Sequence, residues 1–428
     1  MGSLLGSMEK LSRFKGPSVY MAGAFSKACL GMVSGILVAR LVTPTELGAF
    51  QTVMLVLTYA SFLQLGVFNG LNRQYAFLLG RGEEQRAQDM VNASFRMTHL
   101  AGFLQVLAGV GFCAWLYYAA ADRLLLWGAL VILPALFLTP YLAHFDVTYR
   151  TSQHFQTLGY FLSFEGFFML LSVGFAWLWG YLGLFLRQLA GTFIGVWLRR
   201  QYVPVRVNGK GTLSDILELI RIGGPLLISG YIFSILAVAD RSVIAYWRGP
   251  EAVGIYSVAG IVISVFMIIP VMVGPVLNPK AAAAFGRVGH PHSLRRFIWI
   301  SLLMHGVLAL PLVIAGYFLM DRVVGSILPA YVAGIPAAKI SLLTGLAICL
   351  TGPSLIFFTA RRNTLYILAS LLCTALVWGL GSWCLQYYDN IIYVAWIRAG
   401  VSLLLSVLVV FYALYITRPE SGPGKPGD

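Results

Sequence analysis

Charged side chains are scarce in this chain. Asp, Glu, Lys and Arg make up 11% of its 428 residues, against roughly 25% in a soluble domain. So few charges cannot coat a water-facing surface of this size, which excludes a soluble enzyme or binding domain and leaves most of the exterior to lipid. Acids are scarcer than bases, 16 against 30, and no group of carboxylates, histidines or cysteines has metal-site spacing. The five cysteines (Cys29, Cys113, Cys349, Cys373 and Cys384) all lie in apolar runs, where a thiol packs as a small hydrophobe. No nucleophile elbow or HExxH pair is present, so no enzyme chemistry, cofactor or metal is expected. Gly109-Val-Gly-Phe-Cys-Ala114 imitates a dinucleotide fingerprint but sits in mid-run with no strand before it.

Apolar residues, by contrast, make up 59% of the chain, with 45 glycines among the rest. Glycine is tolerated in membrane helices because it lets their backbones approach closely. Twelve apolar runs are each near the ~20 residues needed to cross a bilayer. They span approximately 17–41, 48–71, 97–118, 124–145, 157–178, 181–198, 222–247, 252–276, 297–319, 331–358, 364–385 and 391–415. Residues 1–16 read as a basic interfacial segment, 17–200 and 222–416 as two halves of six runs, 201–221 as their linker, and 417–428 as a disordered tail. Threaded with the N-terminus inside, the inner segments hold 21 of the 30 Lys and Arg, and the outer links hold only Arg123, Arg248 and Arg322. That asymmetry predicts a multi-pass protein with both termini cytoplasmic. It also accounts for the net charge of +14 without nucleic acid as a partner. The outer links are all short, which argues against a large external catalytic domain.

The two halves carry the same hairpin. Ala39-Arg-Leu-Val-Thr-Pro-Thr-Glu-Leu-Gly-Ala-Phe50 is echoed by Gly249-Pro-Glu-Ala-Val-Gly-Ile-Tyr256. Pro44 matches Pro250, Gly48 matches Gly254 and Phe50 matches Tyr256, all 206 positions apart (250 − 44, 254 − 48, 256 − 50). Internal repeats at about half the chain length are a common plan for transporters.

Six cations fall inside the runs: Lys27, Arg40, Arg187, Arg241, Lys339 and Arg398, against Glu165 and Asp240. A charge near the bilayer centre costs at least ~2.5–3.5 kcal/mol, so each needs a reason. Lys27 lies about 15 Å deep at 1.5 Å per residue. It belongs to a stripe of four-residue spacing, Gly23, Lys27, Gly31, Gly35, and Arg187 belongs to another, Gly183, Arg187, Gly191, Gly195. Residues four apart share a helix face, and small residues mark the face packed on other helices. Both cations are therefore expected to point into the bundle. Arg398, followed by Ser402 and Ser406, shows a fainter version of the pattern. The bland alternative is that the cations satisfy helix-end carbonyls or pair with Glu165 and Asp240. If they converge, the surplus of positive charge suits an anionic passenger, and phosphate or pyrophosphate is the natural candidate.

With these residues in view, the chain resembles the polysaccharide (O-antigen type) flippases of the multidrug/oligosaccharidyl-lipid/polysaccharide (MOP) exporter superfamily. The likeness rests on Val38–Phe50, Gly66-Val-Phe-Asn-Gly70, Ala239-Asp-Arg241, Gly249–Ser257 and Pro279. It implies an all-α membrane protein of about twelve helices in two pseudo-symmetric six-helix lobes around a central cavity. It further implies transport of an undecaprenyl-pyrophosphate-linked oligosaccharide across the inner membrane, beside a polysaccharide polymerase and a chain-length regulator. Lys27, Arg40, Arg187, Arg241 and Arg398 are the matching candidates for holding the pyrophosphate. Glu165 and Asp240 are candidates for ion coupling. A cation-coupled multidrug exporter is the rival from the same superfamily, and a membrane glycan polymerase or ligase is the rival from outside it.

Overall fold

A computed structural model of the protein describes residues 2–209, 211–288, 290–361, 365–388 and 390–418. The side chains of residues 1–15 and the tail from 419 lie outside the described set, and with them the interfacial character of the N-terminus and the disorder expected of the tail. The described residues are helical, with no strand. In order they form α1 (Gly2–Leu41), α2 (Pro44–Ala60), α3 (Val67–Gly80), α4 (Glu84–Tyr118), α5 (Arg123–Val131), α6 (Leu133–Thr151), α7 (Phe155–Leu171), α8 (Val173–Gln201), α9 (Leu213–Val288), α10 (Arg295–Ile327), α11 (Ile335–Arg361), α12 (Leu365–Tyr387) and α13 (Ile392–Ile416). Helices are the natural outcome for apolar runs in lipid, because every backbone amide then finds its partner within the segment.

Nine of the described helical stretches are long and apolar enough to cross a membrane. One of these is α9, which breaks at Gly249 (φ 74°, ψ −171°) and supplies two crossings. The pair α5 and α6, bent by 41°, supplies another, and the shorter apolar helix α7 completes twelve. Within α8, Gly180 (φ 52°, ψ −125°) makes the equivalent break, between the fifth and sixth apolar runs.

The second run differs from the continuous span read over 48–71. Helix α2 stops at Ala60, a 3-10 turn covers Ser61–Gln64, and Leu65 (φ 51°) and Gly66 (φ 80°) are left-handed before α3 begins. The cause is tertiary. The Gly66 backbone lies against the start of α9, where a β carbon would come within 2.5 Å of the Gly223 carbonyl oxygen.

The two copies of the hairpin motif dock on each other. A β carbon on Gly48 would overlap the Pro250 carbonyl oxygen, and one on Gly254 would overlap that of Pro44. The contact is thus reciprocal, each copy's glycine seating the other copy's proline carbonyl. Locally the copies differ. Thr43 caps α2 in a capping box with Glu46, whereas the second copy turns on left-handed Gly249 and has Ala252 where Glu46 would fall. Tyr331, almost fully buried, reinforces this end by donating to the Val42 carbonyl at 3.1 Å.

At the opposite end, residues 202–212 connect the halves and are tied to α4. Gln88 donates to the Arg206 carbonyl at 2.8 Å, and Asn92 and Asn208 bond each other at 3.2 Å. Arg86 clamps the first turns of α9 through Asp215 (2.7 Å) and Glu218 (2.6 Å).

Candidate functional site

The glycine stripes do two jobs. On α1, Gly23 packs directly on the α7 backbone at Gly159, and a β carbon on Gly166 of α7 would lie 2.7 Å from the Lys27 Cα. This intimate α1–α7 contact puts Lys27 beside Glu165. Higher on the same face, Gly31 and Gly35 leave room instead of filling it. Together with Gly191 of α8 they line a cavity of about 420 Å³. Its polar wall is Lys27, Glu165, Ser172, Arg187, Gln188 and Thr192, and its apolar wall includes Phe50, Leu142, Phe168 and Met169.

The two deep cations meet there on different terms. Lys27 Nζ donates to Glu165 Oε2 at 2.7 Å, so the pairing alternative raised by the sequence holds for this residue. Arg187 has no carboxylate partner among the described residues. Its Nη2 donates to Ser34 Oγ at 2.7 Å and to the Met169 carbonyl at 3.4 Å, and its Nε to Ser172 Oγ at 3.3 Å. All three acceptors are neutral, so Arg187 keeps its full charge facing the cavity.

A third cation stands behind the cavity. Arg199 is 1% exposed, donates to Glu165 Oε1 and to the Gly195 carbonyl, and pairs with Asp146 Oδ1 at 2.6 Å. Sequence reasoning missed it, because Arg199 stands next to Arg200 at the end of a run and counts as an inner-loop charge. The signal was present nonetheless: Arg199 follows Gly195 by four residues and continues the stripe that carries Arg187. The ionic chain is therefore Lys27, Glu165, Arg199, Asp146, two cations and two anions. With Arg187 added, the cavity region carries one uncompensated positive charge.

The buried bridge sets a stability prediction. Replacing Arg199 with Ala leaves Glu165 to Lys27 alone and Asp146, a third exposed, without its partner, so the loss falls below the ~3–5 kcal/mol of a fully buried broken pair. A clear fall in the thermal unfolding midpoint of the purified protein is expected, larger than for Arg200→Ala. Equal midpoints would refute the bridge.

The remaining candidates lie elsewhere. Arg40 is exposed at the end of α1. Asp240 is buried and accepts from Tyr256 Oη at 2.9 Å, and Arg241 packs its guanidinium on Gly260 of the same long helix. Arg398 is 4% exposed, and its Nε and Nη1 have no hydrogen-bond partner among the described residues. None of these four lines the cavity. Lys339, which the sequence left without an acid, bonds Asp321 at 2.6 Å. The convergence expected of cations from both halves is thus seen only for the first half's pair.

A family model described as "Polysaccharide biosynthesis protein" matches residues 14–280. No curated protein matches the chain. Among solved structures, the chain is similar to a multidrug resistance MATE family transporter of the MOP superfamily in its inward-facing conformation, at 14% identity, covering 94% of this chain and 97% of that one, with a TM-score of 0.65. An outward-facing MATE family transporter gives 14% identity, 94% and 93% coverage and a TM-score of 0.66. A MOP superfamily transporter from Pyrococcus furiosus, described by the reverse polarity of its binding pocket, gives 15% identity, 94% coverage of both chains and a TM-score of 0.65. At such low identity these likenesses establish the fold, and they agree with the all-helical, twelve-crossing architecture.

Proposed function

The chain belongs to the polysaccharide biosynthesis protein family, and on that premise we propose that it is a flippase for a lipid-linked oligosaccharide, carrying an undecaprenyl-pyrophosphate-linked glycan from the cytoplasmic to the outer leaflet. The observation that carries the proposal is the cavity beside α1, α7 and α8, where Arg187 presents a charge that no carboxylate neutralises among the described residues and Lys27 stands within the same wall. A pyrophosphate offers such cations strong charge-assisted acceptors. In this scheme the headgroup enters the cavity, the prenyl tail stays in lipid, and the halves rock about the bound headgroup to expose it on either side. The charge asymmetry of the links supports cytoplasmic termini in the inner (plasma) membrane. A polymerase and a chain-length regulator would act on the exported glycan.

The decisive experiment reconstitutes the purified chain in liposomes with a fluorescent undecaprenyl-pyrophosphate-linked oligosaccharide. Movement of the glycan to the opposite leaflet, faster than in protein-free liposomes, is expected, and an unchanged rate would refute the proposal.

The structural neighbours that transport multiple drugs favour a second reading, a cation-coupled drug exporter. Its cationic substrates would want an acidic cavity, whereas this one is net positive. Overexpression is therefore expected to leave resistance to cationic drugs unchanged, and raised resistance would favour the rival.

A further inference from the structure

The flippase proposal treats Lys27 and Arg187 alike, but the structure does not. Among the described residues, Arg187 is bonded to hydroxyl and carbonyl oxygens alone. Lys27 is already engaged by Glu165 at 2.7 Å, yet its side chain is 38% exposed, whereas that of Glu165 is 9% exposed. Glu165 in turn has a second cation. Its Oε1 accepts from Arg199, which Asp146 and the Gly195 carbonyl hold in place. Lys27 can therefore leave Glu165 without stranding a buried carboxylate, because Arg199 still neutralises it. Arg199 has no such freedom. It is a rigid fork, 1% exposed and bonded to two carboxylates. The lysine is the opposite case, a point charge on a four-carbon stem with three rotatable donors.

Resting on the headgroup proposal above, we propose that Glu165 is a positioning and specificity-determining residue that holds Lys27 in reserve. Arg187 is the standing anchor for the pyrophosphate, and Lys27 exchanges the Glu165 carboxylate for the anion once the anion arrives. The chemistry follows from balance. When Lys27 turns to the anion, one ammonium–oxyanion contact replaces another, so its net contribution to affinity is small. What the exchange provides is selectivity. A neutral or cationic solute cannot draw Lys27 from Glu165, and in its absence the cavity keeps an ion pair closed across α1 and α7. A compact anion with several oxygens can engage Arg187 and Lys27 together.

The test uses the full chain in nanodiscs with inorganic pyrophosphate as probe and affinity read by calorimetry. Arg187→Met is expected to weaken binding about a hundredfold, and Lys27→Met less than about tenfold. Glu165→Gln, which frees Lys27, is expected to tighten binding about tenfold, and the gain is expected to vanish in the Glu165→Gln, Lys27→Met double variant. The exchange is overturned if Glu165→Gln binds no tighter, or if its gain survives loss of Lys27. It is also overturned if Lys27→Met costs as much as Arg187→Met, a comparison that needs no change at Glu165 and holds even if that variant fails to fold. If no variant at position 27 or 187 alters binding, the headgroup proposal itself falls. If Arg187→Met abolishes binding while Glu165→Gln leaves it unchanged, only the exchange falls. Farnesyl diphosphate, run alongside, is expected to give the same order of variants. That order seen with free pyrophosphate alone would overturn a lipid headgroup as the source of the anion while leaving the exchange standing.

Discussion

Glycan export is expected to stop when Lys27 and Arg187 are both replaced by Ala, with the protein still inserted at its normal level. Both substitutions remove cations from one wall of the cavity, and nothing else on that wall carries positive charge. Losing the contact of Arg187 costs about 2–5 kcal/mol of binding, and losing Lys27 as well leaves the anion with hydroxyls and an amide. The singles should not be equal. Arg187→Ala alone is expected to reduce export more than tenfold, since about 1.4 kcal/mol is already a factor of ten. Arg187→Lys should rescue it only in part, because a lysine cannot span Ser34, Ser172 and the Met169 carbonyl as the guanidinium does. The measurement is surface glycan in a flippase-null strain expressing each variant, normalised to membrane-inserted protein. Full export from the double variant would end the claim that this cavity receives the headgroup.

Valine at Gly48 or Gly254 is expected to part the two halves where the hairpin motifs meet. The clash is between a β carbon and a backbone carbonyl oxygen, Pro250 for Gly48 and Pro44 for Gly254. No rotamer relieves it, because the β carbon is fixed by the backbone and so is the oxygen. Helices α2 and α9 must therefore separate at that end. Each half keeps its own packing, so insertion should persist while transport is lost. Spin labels at Thr45 and Glu251, read by double electron–electron resonance, should report a longer and broader distance in either variant. Gly249→Val is a useful contrast. Nothing crowds that position, so its effect should be backbone strain at a left-handed residue, without the same separation. Unchanged distances in Gly48→Val and Gly254→Val would show that the glycines are not the contact.

Much of the site was visible before the fold. Depth within a run marked Lys27 and Arg187 as costly, and glycines at four-residue spacing showed which way each would face. Glu165 was visible as a buried acid and as one possible partner for the cations, but which cation it would take was not. The four-residue stripe of α8 reached Arg199, yet its place beside Arg200 at the end of a run disguised it as a loop charge. Arg241 and Arg398, which the sequence places nearer the outer ends of their runs, do not line this cavity; one packs on Gly260 and the other lies among buried side chains.

Which segments are apolar enough to enter lipid, and that two similar hairpins stand half a chain apart, can be read along the chain; the break of the second run at Ser61–Gly66 cannot. The bilayer charges its cost residue by residue, so local composition suffices for the spans. Which charges meet cannot be read that way. Lys27 finds Glu165 across 138 residues and Arg187 finds Ser34 across 153. Those pairings exist because glycines let α1 and α7 close to backbone contact and leave a hollow above it. Only the packing of helices distant in sequence decides that the cavity's arginine, Arg187, has no carboxylate partner among the described residues.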